Sequence, residues 1–251
     1  MAGRQSARKA RLWLAGIAVT TILLVAGAVA IILSFGDSGG DLSTGSDRQR
    51  TASPRPGPAA GDKRLTPATG KPLRLVDGEK HHRSGVSGQF PHTGIGATSA
   101  AVAHQEELEV LDDGLARQQL QDIAADEATV RSGVSDVRRA REQAGLPPSG
   151  GPPSGLSVTT TVKAARTRSL DTTGDVIEVW LVYDRHAQTE DEQNDKDPLT
   201  DEMTSTVYTW DQGDWRLTTA KRWTSHGTYP RAYDPSSPYA WLDGWREVSD
   251  G

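Results

Sequence analysis

The feature that most constrains this chain is an uncharged apolar run near its N-terminus. Residues 12–33 read LWLAGIAVTTILLVAGAVAIIL, twenty-two residues without a charge. As a helix with a rise of about 1.5 Å per residue, this run spans roughly 33 Å, against a hydrocarbon core of about 30 Å. A helix also satisfies its own backbone hydrogen bonds, as the bilayer interior requires. The sequence therefore predicts a transmembrane helix over residues 12–35, with the lipid bilayer as its partner.

The flanks of this run predict its orientation. A basic cluster precedes it: Arg4, Arg8, Lys9 and Arg11. Acids such as Asp37 follow it, so the positive-inside rule makes residues 1–11 a cytoplasmic stub and places the C-terminal part outside the cell membrane. A cleaved signal peptide is the alternative, since small residues alternate at 26–30. The apolar run continues past them and exceeds the usual length of about 7–15 residues, which favours an uncleaved signal anchor.

Residues 36–88 have the composition of a disordered linker. Gly, Ser, Pro and charged residues dominate, and the apolar residues have no regular spacing. Such a segment has too few apolar side chains to form a core. Because a flexible linker of about 50 residues spans about 40 Å on average, a folded domain over residues 89–225 is expected at that distance from the bilayer.

The first half of this domain has helical periodicity. Apolar residues spaced by three and four predict a helix over 98–111 and a longer one over 115–144. Gly133 is expected to weaken or split the second helix, and Gly145 before a Pro pair predicts its end.

The second half has the period of two that is typical of strands. Strands are predicted at 156–165, 175–184, 203–210 and 215–223, with a hairpin turn between the last two. Helices followed by consecutive strands favour an α+β fold, in which helices pack on one face of a curved antiparallel sheet.

Residues 226–251 form an irregular tail that is rich in aromatic residues. It contains Tyr229, Tyr233, Tyr239, Trp241 and Trp245. These side chains close the open end of the sheet or form an exposed contact surface, and the sequence leaves both roles open.

Charge and cysteine content exclude several classes of function. The formal net charge is −5, which leaves about −9 for the chain beyond residues 1–11. An acidic outer part argues against direct nucleic-acid binding, since phosphate contacts need clustered Lys and Arg. The chain has no cysteine, and this excludes disulfides, thiolate metal sites and cysteine nucleophiles.

No residue pattern identifies a catalytic, cofactor-binding or metal site. His92 and His104 lack zinc-site spacing, and the acidic run 189–202 lacks the Gly and Glu positions of a calcium loop. Residues 93–98, TGIGAT, lack the third glycine and the lysine of phosphate-binding loops. We therefore predict no catalytic residue, no cofactor, no metal and no enzymatic activity.

Three carboxylates are the remaining candidates for catalysis in the hollow of a curved sheet: Asp175, Glu178 and Asp184. Each lies at or near a predicted strand end, where solvation is the usual role. The contents of the hollow distinguish the two interpretations. A hollow filled by Trp180, Trp210 and Trp215 favours a structural protein, whereas an open cavity with an inward carboxylate favours an enzyme.

Two segments carry a resemblance to a known group of proteins. They are PHTGIGATSAA at residues 91–101 and the strand–turn–strand that contains Trp210, Gly213, Asp214 and Trp215. With the basic stub, the apolar run and the linker, they resemble bitopic membrane proteins of actinobacterial conjugative elements. The resemblance covers most of residues 86–225. It implies a cone-shaped domain similar to the nuclear-transport-factor and ketosteroid-isomerase class.

This resemblance implies assembly and not catalysis. Scaffold proteins of type IV secretion machines with the same layout self-associate and contact other subunits. We therefore expect a non-enzymatic, membrane-anchored structural component of a conjugative DNA-transfer apparatus, with other envelope subunits as partners. The alternative is a membrane-tethered extracytoplasmic domain that binds or converts a small molecule in the hollow of its sheet.

Overall fold

The computed structural model describes residues 64–81, 83–189, 195, 198–225 and 229–249. The predicted cytoplasmic stub, the predicted transmembrane helix and the first part of the predicted linker lie outside these residues. Within the described ranges, no helix is long and apolar enough to cross a bilayer. The described residues have an α+β fold in which helices pack against a curved sheet.

Three helices form the layer on one face of the sheet. They are α1 (Gly94–Glu107), α2 (Asp113–Ile123) and α3 (Glu127–Gln143). Each begins at a side chain that accepts backbone N–H groups of its first turn: Thr93, Asp112 and Asp126. The long predicted helix is therefore two helices, and the break lies before the Asp126 cap.

Gly133 lies inside α3 and does not split it. A Cβ atom at this position would lie 2.6 Å from Cδ1 of Leu120, on α2. The glycine thus permits the close approach of the two helices, and the prediction of a break there is wrong.

The main sheet has six strands in the order β1-β8-β4-β5-β6-β7, and β2 pairs separately with β3. The strands are β1 (Leu73–Arg74), β2 (Glu79–Lys80), β3 (Ser87–Gly88), β4 (Leu156–Ser169), β5 (Val176–Thr189), β6 (Leu199–Asp211), β7 (Asp214–Thr218) and β8 (Arg246–Ser249). All neighbouring pairs in the main sheet are antiparallel except β1 and β8, which are parallel. The sheet is mixed, which corrects the prediction of a purely antiparallel one.

The pairings of β5 with β4 and with β6 each contain an irregularity, with an extra residue on β4 in the first and on β6 in the second. The register shifts between Val162 and Ala164 on β4, and between Tyr183 and Arg185 on β5. Extra residues of this kind increase twist and bend a strand, so they contribute to the curvature of the sheet around α1. We call the side that faces the helices the inner face and the opposite side the outer face.

Residues 64–81 and 83–88 belong to the fold, which corrects this part of the predicted disordered linker. Leu73 on β1 pairs with Val248 on β8, and Val86 is completely buried. Two-residue strands have no periodicity of their own, so their order comes from partners that are distant in sequence.

The C-terminal segment also has regular structure, which corrects its description as an irregular tail. After the short helix α4 (Lys221–Thr224), it contains α5 (Pro238–Leu242) and β8. Ala240 and Trp245 pack against Ala164, Trp180 and Val182 on the outer face. The segment therefore covers part of the sheet opposite to the helices.

Candidate functional site

The space between the helices and the sheet is filled by side chains. Helix α1 contributes the small residues Ala97 and Ala101, which allow its backbone to approach the strands. Phe90, Tyr208 and Trp215 pack in the same cluster, and none is more than 2% exposed. The Trp215 indole also donates a hydrogen bond to the Pro91 carbonyl, at 2.9 Å. The inner face thus carries a packed core.

None of the three candidate carboxylates belongs to this packed core. Asp175 is about half exposed and lies 2.8 Å from the His92 ring nitrogen. Glu178 is buried on the outer face, where it pairs with Arg168 at 2.6 Å. Asp184 pairs with Lys163 at 2.7 Å. A paired or solvated carboxylate outside a cavity is poorly placed to act as a general base.

The three tryptophans whose presence in the hollow would favour a structural protein are not brought together. Trp210 and Trp215 lie 5.3 Å apart between ring centres, and the His92 ring stacks on Trp210 at 4.2 Å. Trp180 packs instead with Ala164 and Val182 on the outer face. Adjacent residues of a strand point to opposite faces. Val179 and Leu181, the neighbours of Trp180 on β5, lie on the inner face, so Trp180 lies on the outer face.

His104 is a deeply buried titratable group on the inner side. It is 2% exposed, its Nε2 lies 2.8 Å from the Ser87 carbonyl, and its Nδ1 lies 2.9 Å from the Tyr208 hydroxyl. A carbonyl only accepts, so Nε2 carries the proton and Nδ1 accepts from Tyr208. Burial lowers the pKa of His104 to about 4, so the ring is neutral at pH 7. Both nitrogens are satisfied, and this arrangement cross-links α1, β3 and β6.

The glycine-rich segment before α1 serves the start of that helix. The Thr93 side chain accepts from the Gly96 N–H at 3.0 Å, and a Cβ at Gly96 would lie 2.0 Å from the Pro91 carbonyl oxygen. The glycine is therefore required by a close backbone approach. Half of the acidic run 189–202 lies outside the described residues. Its Asp195 accepts a hydrogen bond from the Ala187 backbone at 2.7 Å. Among the described residues, no group of three or more His, Asp or Glu is arranged to hold a metal ion.

Two buried arginines have no counterpart among the sequence predictions. Arg185 is 9% exposed, donates from Nε to the Thr160 hydroxyl at 2.9 Å, and lies over the Tyr183 ring. Burial lowers its pKa from the ordinary value. Arg141, near the end of α3, donates to four backbone carbonyls. The alternation of β5 places Arg185 on the same side as Tyr183 and Ala187. This alternation is the sequence signal that could have identified Arg185 as a buried residue.

A row of charged and indole groups lies on the outer face of β4 and β5. Arg166 and Arg168 are paired in register with Trp180 and Glu178. Arg166 donates to the Asp243 carbonyl at 2.7 Å, which ties the C-terminal segment to the sheet. Its Nη1 and the Trp180 indole N–H are buried without a hydrogen-bond partner in the described part of the chain. This polar row holds the C-terminal segment in place.

The exposed apolar side chains cluster near that segment. In the described ranges, the large hydrophobic residues that are exposed are Leu65, Tyr229, Tyr239 and Leu242. Three of them lie between β7 and β8, and the fourth lies in the segment that packs on α5. Solvent-exposed apolar groups in one neighbourhood are typical of contact surfaces.

Comparisons with protein-family models, curated proteins and solved structures find no match to this chain. Its function is therefore inferred from its own residues and their arrangement.

Proposed function

We propose that this chain is a non-enzymatic, membrane-anchored structural component of an envelope assembly of the conjugative DNA-transfer or type IV secretion kind. The observation that carries the proposal is the filled inner side of the sheet. Phe90, Tyr208 and Trp215 occupy the space where a curved-sheet enzyme keeps its substrate cavity. The candidate carboxylates lie elsewhere in solvent or ion pairs. Such a domain acts through its surface.

The apolar run 12–33 supports the anchored part of this proposal. Its length matches the bilayer core, and its flanking charges favour a cytoplasmic N-terminus. The acidic outer domain and its exposed aromatic residues favour contacts with proteins or with the membrane over contacts with DNA.

The predicted topology can be tested with single cysteines, because the chain has none of its own. Ser6→Cys lies in the basic stub, and Ser236→Cys lies at an exposed position before α5. We expect a membrane-impermeant maleimide to label Ser236→Cys on intact cells, and to label Ser6→Cys only after the membrane is permeabilised. Labelling of Ser6→Cys on intact cells, or retention of Ser236→Cys in an unlabelled form, would contradict this topology.

The proposed assembly can be tested in membranes that carry a conjugative element. The full chain, tagged at its C-terminus, is cross-linked in intact cells, solubilised and purified. We expect conjugation ATPases and channel subunits among the cross-linked species, and loss of DNA transfer when the chain is deleted. The same tagged chain in cells without the element is the matched control. Two results together would refute the proposal. The chain would be recovered alone from cells that contain those subunits, and DNA transfer would be normal in cells from which the chain is deleted.

A further inference from the structure

The short helix α5 presents its apolar side chains outward. Ala240 is buried against the outer face, whereas Tyr239 is 56% exposed and Leu242 is 76% exposed. Residues three apart in a helix lie on the same side, so Tyr239 and Leu242 project together away from the sheet. Large apolar side chains at such exposure leave their hydrophobic area in water unless a partner covers it.

The segment 64–70 extends this surface. The Ala68 N–H donates to the Pro235 carbonyl at 2.9 Å, and Gly70 lies so close to Trp241 that a Cβ there would overlap the indole ring. Leu65, which is 50% exposed, begins this segment. We name the set Leu65, Tyr239, Trp241 and Leu242 the aromatic patch.

Basic side chains border the aromatic patch, although the domain as a whole is acidic. The Arg231 guanidinium lies over the Tyr239 ring at 5.5 Å, and the Arg246 guanidinium lies over Trp241 at 3.3 Å. Arg64 and Lys71 are exposed at the two ends of the neighbouring segment. Tyr and Trp with Arg and Lys beside them form the combination that favours the headgroup region of a bilayer. Arginine in particular pairs with lipid phosphates.

The position at which the chain enters the domain supports the same partner. Residue 64 lies at the edge of the aromatic patch, and the apolar run ends at Leu33. The chain between them is about 30 residues long, so it extends at most about 100 Å. A tether of this reach keeps the patch at high effective concentration near the bilayer that holds the apolar run.

We propose that the aromatic patch docks on the outer surface of the membrane in which the chain is anchored. Tyr239 and Leu242 enter the headgroup boundary, and Arg231, Arg64 and Lys71 contact anionic lipid phosphates. This docking rests on the membrane anchoring in the proposed function, and it sets the orientation in which the helical side of the domain faces away from the bilayer. Partner subunits then meet α2 and α3 rather than α5.

The test uses the full chain reconstituted at one copy per nanodisc, in mixed phosphatidylglycerol and phosphatidylcholine. Leu242→Cys carries an environment-sensitive fluorophore, and Ser135→Cys on the exposed side of α3 is the matched control site. Because an interfacial side chain lies about 5–10 Å into the boundary, iodide quenching at residue 242 is expected to be about fivefold weaker than at residue 135. Adding Tyr239→Ser and Arg231→Glu to the Leu242→Cys chain is expected to restore quenching at residue 242. Nanodiscs of pure phosphatidylcholine, which lack anionic lipid, are expected to restore part of it.

Equal quenching at residues 242 and 135 in a reconstituted chain overturns the docking. Protection that appears only when several copies share a vesicle also overturns it, since the patch then binds a second copy of the chain. Failure of the chain to insert into nanodiscs would refute the membrane anchoring. This outcome is distinguished from a failure of docking because the chain then does not copurify with the lipid. Insertion of the chain with strong iodide quenching at residue 242 would leave the proposed function intact and would overturn only the docking.

Discussion

The free energy of unfolding of this chain is expected to fall by about 2 kcal/mol between pH 7 and pH 5 because of His104 alone. Burial lowers the pKa of His104 to about 4 in the folded chain, whereas the ordinary value is 6.5. As the pH falls below 6.5, the unfolded chain binds a proton that the folded chain does not. The stabilisation is therefore complete above pH 6.5 and is lost progressively toward pH 4.

His104→Gln provides the reference for this prediction, because an amide does not titrate in this range. Urea unfolding of the full chain in detergent, followed at several pH values, should give a pH slope for the native chain that is absent in the variant. Tyr208→Phe removes the hydroxyl that donates to Nδ1 and keeps the titrating ring, so it should lower stability and retain much of the slope. The Asp113 carboxyl, whose pKa is lowered to about 2 by the Gly150 N–H, affects stability only at more acidic pH. Equal slopes in the native chain and His104→Gln would refute the assignment.

The buried position of His104 was not evident from the sequence, although its helix was. Apolar periodicity located the helical region around α1, and residue 104 follows Ala97 and Ala101 at spacings of three and four on the same side. The identity of its partners depends on β3 and β6, which are brought to it by the fold. Its lowered pKa therefore arises from contacts that a local pattern does not contain.

The strands also divide into those that the sequence pattern predicts and those that it does not. The run around β5 was predictable because it is nearly continuous in apolar residues and is buried along most of its length. The strand β8 was missed, since its four residues have no alternation and their order comes from pairing with β4 and with β1, more than 170 residues earlier in the chain. Short edge elements are specified by their partners, and single-sequence periodicity does not detect them.

The faces of the sheet explain why Trp180 does not lie beside Trp210 and Trp215. Trp180 lies on the nearly continuous apolar strand β5, where apolar content alone does not indicate which face a side chain occupies. The parity of β5 places Trp180 opposite to Val179 and Leu181, so a register-based argument could have separated it from the inner core. The pairing of Trp210 with Trp215 across the hairpin turn was accessible from the sequence, and it is present.

Arg141→Met is expected to lower the free energy of unfolding by about 3 kcal/mol, because hydrogen bonds from a charged donor contribute about 1.5–3 kcal/mol each and several buried carbonyls lose theirs together. The guanidinium of Arg141 is 2% exposed and donates to the carbonyls of Leu111, Pro147, Ser149 and Gly151. It thus holds the loop after α3 against the loop before α2. Methionine fills a similar volume and donates no hydrogen bond, so these carbonyls lose a shared donor in a site that water reaches poorly.

Arg139→Met is the matched control, because Arg139 lies on the same helix, is about half exposed and pairs only with Asp136 of the described residues. Exposed pairs three residues apart contribute about 0.5 kcal/mol or less. Chemical unfolding of both variants should separate them by several-fold in the loss of stability, and hydrogen exchange should rise first in residues 145–155 of the Arg141 variant. Arg141→Lys should recover little, since one ammonium group cannot reach carbonyls that a planar guanidinium contacts on several sides. Equal stability of the Arg141 and Arg139 variants would mean that the loop is held by its turn sequence and by Asp113, which accepts from Ser149 and Gly150, rather than by this arginine.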